Sequence, residues 1–321
     1  MNYKNRKVAV IGLGHVGAHC AYSLALQGIV DELVLIDKNE QKAISECQDL
    51  RDAVMYMPHN VKIQIGTFAD LKDCDVIVNA VGNIKLCATG DRNDEMNYTV
   101  AQVKSYMDKV KNSGFDGVII NITNPCDVIT DLIAKMSGLP VGRVFGTGTG
   151  LDTSRLVAQL SLQTGLDHQS ISAYMIGEHG ASQIAAWSCV NFGGVPLDVL
   201  AAKDAKFQFD RDDLQKKAIG GGWVTYQGKQ CTEYGICSTL ARMVRVVLED
   251  EKRIMPASAL LQGEYGEKDV FVGVPCVIGK NGIEQVVELP LSEKEQAEFH
   301  KCCEDVRNNI KKAEGIAAAE E

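Results

Sequence analysis

Through the first 146 residues, short runs dominated by valine, isoleucine and leucine alternate with amphipathic stretches of helical period. The runs are 7–13 (KVAVIGL), 32–37 (ELVLID), 61–66 (VKIQIG), 75–82 (DVIVNAVG), 117–124 (GVIINITN) and 143–146 (RVFG). They lack the every-second-residue polar pattern of a strand with one wet face. Both faces are therefore expected to be covered, as in a parallel sheet with helices on each side. The crossovers carry helices, for example 15–28 and 41–56. The pattern predicts an α/β fold, a doubly wound parallel (Rossmann) sheet over 1–146.

From 147 to 321 the regularity changes, and a second, mixed α+β domain is expected. A helix is predicted near 151–164, strand-like runs at 170–177 and 188–193, and a long helical region over 210–250. A hairpin is predicted over 269–288, turning at Asn281-Gly282, because Asn-Gly favours the positive φ values that join twisted antiparallel strands. The closing helix, 292–313, is entered through Pro290 and capped by Ser292 with Glu295 three residues on, and 317–321 are expected to fray. Gly220, Gly221 and Gly222 interrupt a helical pattern at ~1 kcal/mol each relative to alanine, which points to a kink or to close packing.

A length of 321 residues with 45% apolar and 23% charged residues suits two globular domains. No stretch approaches the ~18 uninterrupted apolar residues of a membrane span, and the start has no signal-peptide pattern. A cytoplasmic protein without membrane contact is expected. The 33 basic against 42 acidic residues give a net charge of −9 with no basic cluster, which argues against nucleic acid as a partner. Eleven scattered cysteines without a CxxC are expected to be reduced thiols, and no metal site is predicted.

Candidate chemistry begins at Gly12-Leu13-Gly14-His15-Val16-Gly17, directly after a strand and opening a helix. Gly12, Gly14 and Gly17 permit a tight turn and close approach of backbone to a pyrophosphate, which then lies on the positive helix N-terminus. Asp37 ends the next strand, twenty residues beyond Gly17, where a carboxylate can bind the ribose hydroxyls of a dinucleotide. Its charge would repel a 2′-phosphate, so NAD is preferred over NADP, although Lys38 softens the discrimination. Farther on stand Asp152-Thr153-Ser154-Arg155 at a helix start and Gly177-Glu178-His179-Gly180.

Together with Ile122-Thr123-Asn124-Pro125, these motifs occur in the order and at the intervals that resemble the lactate/malate dehydrogenase family over almost the whole chain. Within that family, Gly82-Asn83-Ile84-Lys85-Leu86 followed by Gly90-Asp91-Arg92 looks most like L-2-hydroxyisocaproate dehydrogenases. The resemblance implies a catalytic second domain, NAD as cofactor, a small 2-oxo or 2-hydroxy acid with an apolar side chain as substrate, and a homo-oligomer, dimer or tetramer. L-lactate dehydrogenase acting mainly on pyruvate is the alternative within the class, and a catalytically silent NAD-binding redox sensor is the alternative outside it.

By the same resemblance, His179 is the acid–base, suited to it by an imidazole pKa of about 6.5. Asp152 would orient the His179 ring, and Arg155 would grip the substrate carboxylate with its planar fork. Arg92 corresponds to a loop arginine that polarises the substrate carbonyl, and Asn124 to a residue bonding substrate and cofactor. Thr232 corresponds to a threonine on the pocket wall. Leu86 stands six residues before Arg92, about where relatives acting on oxaloacetate place arginine and lactate dehydrogenases place glutamine. Leucine there predicts preference for an apolar side chain. Ala181-Ser182-Gln183 depart from the usual acidic residue or asparagine after the Gly-Glu-His-Gly motif, which questions how the base is supported.

Overall fold

A computed structural model of the chain describes residues 5–86 and 95–319. The elements run β1 (Lys7–Ile11), α1 (His15–Leu26), β2 (Glu32–Ile36), α2 (Glu40–Val54), β3 (Lys62–Ile65), β4 (Val76–Asn79), α3 (Met96–Asn112), β5 (Val118–Asn121), α4 (Cys126–Ser137) and β6 (Val144–Gly146). All six strands lie in one sheet in the order β6-β5-β4-β1-β2-β3 and pair in parallel. Val8, Val10, Leu33, Leu35, Val76, Val78 and Ile120 are almost fully buried, as expected of strands covered on both faces. The chain order reverses at β1, between β2 and β4, and that point leaves a crevice at the carboxyl ends of the strands.

The second half continues with α5 (Gly150–Thr164), β7 (Ile171–Ser172), β8 (Met175–Ile176), β9 (Ile184–Ala185), β10 (Asn191–Phe192), β11 (Val195–Pro196), α6 (Leu197–Ala201), α7 (Arg211–Lys229), α8 (Tyr234–Leu248), β12 (Arg253–Gln262), β13 (Lys268–Gly279), β14 (Gly282–Val286) and α9 (Glu293–Ala319). The hairpin β13–β14 turns through Gly282 at φ 86°. It joins the first sheet through β12, whose Ser258 pairs with Gly146, so that nine strands form one sheet. A separate core of Leu156, Leu160, Ile171, Phe192, Phe207 and Leu214 fills the space under β7, β10 and β11.

Three local expectations need correction. The helical region at 210–250 is two helices, because Gln230 takes a left-handed conformation at φ 66° and closes α7. Strand β12 lies where no strand was expected, with Pro256 opposite Pro275. The closing helix runs on to Ala319; at its start the Ser292 N–H donates to Glu295 Oε2 at 2.8 Å, and the Glu295 N–H donates to Ser292 Oγ at 3.4 Å.

Candidate active site

The chain leaves β1 through Gly12 at φ +92°, where a Cβ would stand 2.7 Å from the Ala80 carbonyl oxygen. A Cβ at Gly17 would fall 1.9 Å from the Gly12 carbonyl oxygen, so these two glycines let β1, α1 and the end of β4 close together. Gly14 differs, since nothing lies within 4 Å of its Cβ direction and it caps α1 without a side-chain hydrogen bond. The start of α1 is thus left without a side-chain cap beside a cleft that Gly12, Leu13 and Gly14 border, as anion binding at a helix N-terminus requires. Asp37 Oδ2 accepts the Leu13 N–H at 2.7 Å and Oδ1 accepts the Asn39 N–H at 2.8 Å. Each oxygen keeps a lone pair for a ribose hydroxyl.

Gly12, Gly14, Asp37, Lys38 and Tyr98 border one cleft of about 540 Å³. The Lys38 ammonium is drawn aside, donating to Gln102 Oε1 at 2.7 Å and to the Tyr98 hydroxyl at 3.3 Å. An open helix N-terminus, a turn without Cβ atoms in the way and a carboxylate one strand over fit NAD.

The second group is assembled from four elements. Asp152 and Arg155 lie in the first turns of α5, and His179 sits in the turn after β8. Asn124 follows β5 and precedes a cis peptide to Pro125, and Thr232 lies between α7 and α8. His179 Nδ1 is 2.5 Å from Asp152 Oδ2, and the Arg155 guanidinium donates to Asp152 Oδ1 at 2.9 Å. The Asp152 side chain is 1% exposed and that of His179 10%, so the pair is held largely away from water. A carboxylate can only accept here, which places the proton on Nδ1 and leaves Nε2 for a reacting hydroxyl.

His179, Asn124 and Thr232 line one small pocket of about 50 Å³ with Ile122, Thr147 and Ile236. Helix α7 runs unbroken through the three glycines, and of these Gly221 packs closely against the arginine, since a Cβ there would stand 3.2 Å from Arg155 Cδ, whereas Gly220 has open space around its Cβ direction.

Leu86 ends a short helical turn, Ile84–Leu86, and is 41% exposed, outside the residues that line this pocket. Arg92 lies outside the described residues, as does Cys87.

Asp127 is a residue that sequence reasoning missed. Its Oδ2 accepts the backbone N–H of His179 at 2.8 Å, and its Oδ1 accepts the Ser258 hydroxyl at 2.5 Å. This carboxyl ties α4, β12 and the turn bearing His179 together. Complete burial pushes its pKa up from 3.8 to about 7. The available signal was an acidic residue within the apolar stretch 126–136. The residues after the motif also brace the turn, for the Ser182 hydroxyl donates to Glu178 Oε2 at 2.7 Å and Gln183 Nε2 to the Gly180 carbonyl at 2.6 Å. The support is thus supplied without a polar side chain at Ala181.

The raised value of Asp127 predicts a pH-dependent stability. The folded chain holds a proton on this carboxyl between about pH 4 and about pH 7 that the unfolded chain releases, so this contribution is full below that window and lost as pH rises through it. The melting temperature of the native protein is expected to fall more steeply from about pH 5 to about pH 8 than that of Asp127→Asn, which has no proton to lose. Equal slopes in calorimetry would contradict this account.

Comparison with known proteins extends the geometry. Residues 6–146 match the family model described as lactate/malate dehydrogenase, NAD binding domain, and residues 149–316 match lactate/malate dehydrogenase, alpha/beta C-terminal domain. The L-lactate dehydrogenase of Fusobacterium nucleatum is 41% identical over 309 residues, covering 96% of each chain. L-lactate dehydrogenase 1 of Bifidobacterium longum is 43% identical over 305 residues, covering 94% of this chain and 96% of its own. The ligand-bound crystal structure of minor L-lactate dehydrogenase from Enterococcus mundtii superposes with a TM-score of 0.91 at 35% identity, over 97% of this chain and 99% of that one. These relatives carry the name L-lactate dehydrogenase, whereas the motifs suggested a narrower likeness to L-2-hydroxyisocaproate dehydrogenases. The chain belongs to the lactate/malate dehydrogenase family and is an NAD-dependent oxidoreductase of 2-hydroxy acids with a Rossmann fold.

Proposed function

We propose that this protein is an L-lactate dehydrogenase, stereospecifically interconverting pyruvate and L-lactate in the cytoplasm. The observation that carries the reading is the 2.5 Å contact between His179 and Asp152 beside a pocket walled by Asn124 and Thr232. The first 146 residues bind the dinucleotide and lend Arg92 and Asn124 to the substrate, and the domain from 147 to 321 supplies the acid–base and the grip on the substrate carboxylate. Bound NADH supplies the hydride. Gly12, Gly14 and Gly17 receive its pyrophosphate, and Asp37 its ribose. His179 Nε2 delivers the proton to the carbonyl oxygen of the 2-oxo acid, and Asp152 stabilises the imidazolium that precedes delivery. Arg155 takes the substrate carboxylate, Asn124 bonds substrate and cofactor, and Arg92 acts on the substrate carbonyl. A complete set of such residues has no use in a silent redox sensor.

The names of the relatives favour pyruvate, while Leu86 favours a second reading, a larger apolar side chain as in 2-oxoisocaproate. The ratios of kcat/KM for pyruvate, 2-oxoisocaproate and oxaloacetate test this directly. Pyruvate is expected to lead and oxaloacetate to trail, since Leu86 offers no charge partner to a second carboxylate. A lead for 2-oxoisocaproate would favour the second reading, and no turnover of any of the three would overturn both. Leu86→Arg is expected to raise activity on oxaloacetate relative to pyruvate by about tenfold or more, because it supplies the missing charge partner. An unchanged ratio would remove Leu86 from the specificity-determining residues.

The protein is further proposed to be a homo-oligomer. Tyr22 and Leu26 on α1, Ile44 on α2 and Tyr234 on α8 are apolar side chains between 39% and 70% exposed. Tyr22, Leu26 and Tyr234 border one groove between these three helices, a face that a second copy of the chain would cover. Sedimentation as a monomer at micromolar concentration would refute this.

A further inference from the structure

His15 opens α1 from within the glycine turn, and its side chain is 77% exposed. It faces the short segment between α7 and α8, where Cys231 is 7% exposed and the Glu233 side chain 5%. A ring nitrogen of His15, Cys231 Sγ and a Glu233 carboxylate oxygen all lie within 4.8 Å of one another. We propose that His15, Cys231 and Glu233 form a binding site for a divalent transition metal of the zinc or cobalt class, bridging the glycine turn and the segment that carries Thr232. This is independent of which 2-oxo acid the enzyme reduces.

The geometry is close to what such an ion needs. Zn–N bonds of about 2.0 Å and Zn–S bonds of about 2.3 Å place ligand atoms on a tetrahedron about 3.3–3.8 Å apart. The His15 Nδ1 to Glu233 Oε1 separation is already 3.4 Å. With every ligand atom inside 4.8 Å of the others, the thiol needs to move by about an ångström at most. The two carboxylate oxygens of Glu233 have different neighbours. Oε2 pairs with Lys229, whose ammonium also lies 3.3 Å from the centroid of the Tyr234 ring. Oε1 faces His15 and, at 3.6 Å, His19 Nδ1. An ion on Oε1 therefore does not have to displace the lysine.

The donor set selects the class of metal. An imidazole, a thiolate and one carboxylate oxygen suit a borderline-soft ion, whereas magnesium and calcium require oxygen cages. The exposed edge of His15 gives an entry path and leaves the fourth position to water. On binding, the Cys231 thiol releases its proton to solvent and a sulfur–metal bond forms. Sequence spacing could not reveal this site, since His15 lies far along the chain from Cys231 and Glu233.

Cobalt(II) titrated alone into the chelator-treated full-length protein tests the site. The expected result is saturation at about one equivalent per chain, with the intense visible absorption of four-coordinate cobalt and a thiolate-to-cobalt charge-transfer band. Added zinc should bleach both. Cys231→Ser should abolish the charge-transfer band, and His15→Gln, at an exposed position that leaves the fold undisturbed, should weaken cobalt binding at least about tenfold. Only the faint spectrum of six-coordinate cobalt, or a charge-transfer band that survives in Cys231→Ser, would overturn the proposal, as would unchanged affinity in His15→Gln.

Discussion

Replacing His179 with asparagine is expected to lower kcat by about 10²- to 10⁴-fold, the range that general acid–base catalysis supplies. The reason is the pairing of His179 Nδ1 with Asp152 Oδ2 at 2.5 Å, which holds the ring in one tautomer with Nε2 available for proton transfer. Asparagine cannot take up or release that proton. The substitution keeps the backbone N–H that donates to Asp127 Oδ2, so the turn after β8 stays anchored. The dinucleotide cleft is bordered by Gly12, Gly14 and Asp37, none of which touches His179, and affinity for NADH is expected to change little. Fluorescence titration with NADH beside steady-state turnover separates the two effects. A loss of less than about 10²-fold would exclude His179 as the proton-transfer residue.

The parts of the fold that were legible are those where one local rule acts alone. Strands such as 76–79 and 118–121 are buried on both faces and read as apolar runs that end on a buried asparagine, Asn79 or Asn121. The turn at Gly12–Gly17 is legible because two of its glycines stand where any side chain would collide with backbone. Strand β12 was not, because Pro256 and Ser258 break its apolar run, and pairing with β13 along its whole length outweighs both. The division of 210–250 was hidden because glutamine carries no signal for the left-handed conformation that Gln230 adopts.

Of the candidate site, Asp152 and Arg155 sit one helical turn apart, and Arg155 and His179 share the Asp152 carboxylate in the structure. Asp127 was illegible because its partners, the His179 backbone and Ser258, are brought to it only by tertiary packing.

Arg155 carries the second large effect. Its side chain is 14% exposed and donates to Asp152 Oδ1 at 2.9 Å, and its planar fork has the shape to hold a substrate carboxylate through two parallel hydrogen bonds. Packing against Gly221 fixes the aliphatic stem, so the guanidinium is aimed before substrate arrives. Removing one partner of a buried, hydrogen-bonded charge pair costs about 2–5 kcal/mol, or roughly 30- to 5,000-fold in kcat/KM. Arg155→Leu is expected to fall in that range and also to leave Asp152 without this cation beside it. Arg155→Lys keeps the charge but not the planar fork, and a substrate carboxylate would exchange two parallel hydrogen bonds for a point contact. Its loss in kcat/KM should therefore lie between those of the native enzyme and Arg155→Leu. On its proposed role the arginine holds the unreacting end of the substrate, so KM is expected to rise in both variants, while NADH affinity stays unchanged. If Arg155→Lys matched the native kcat/KM, the forked contact would be refuted. If Arg155→Leu changed only the melting temperature, Arg155 would be a structural partner of Asp152 and the substrate carboxylate would have to be held elsewhere.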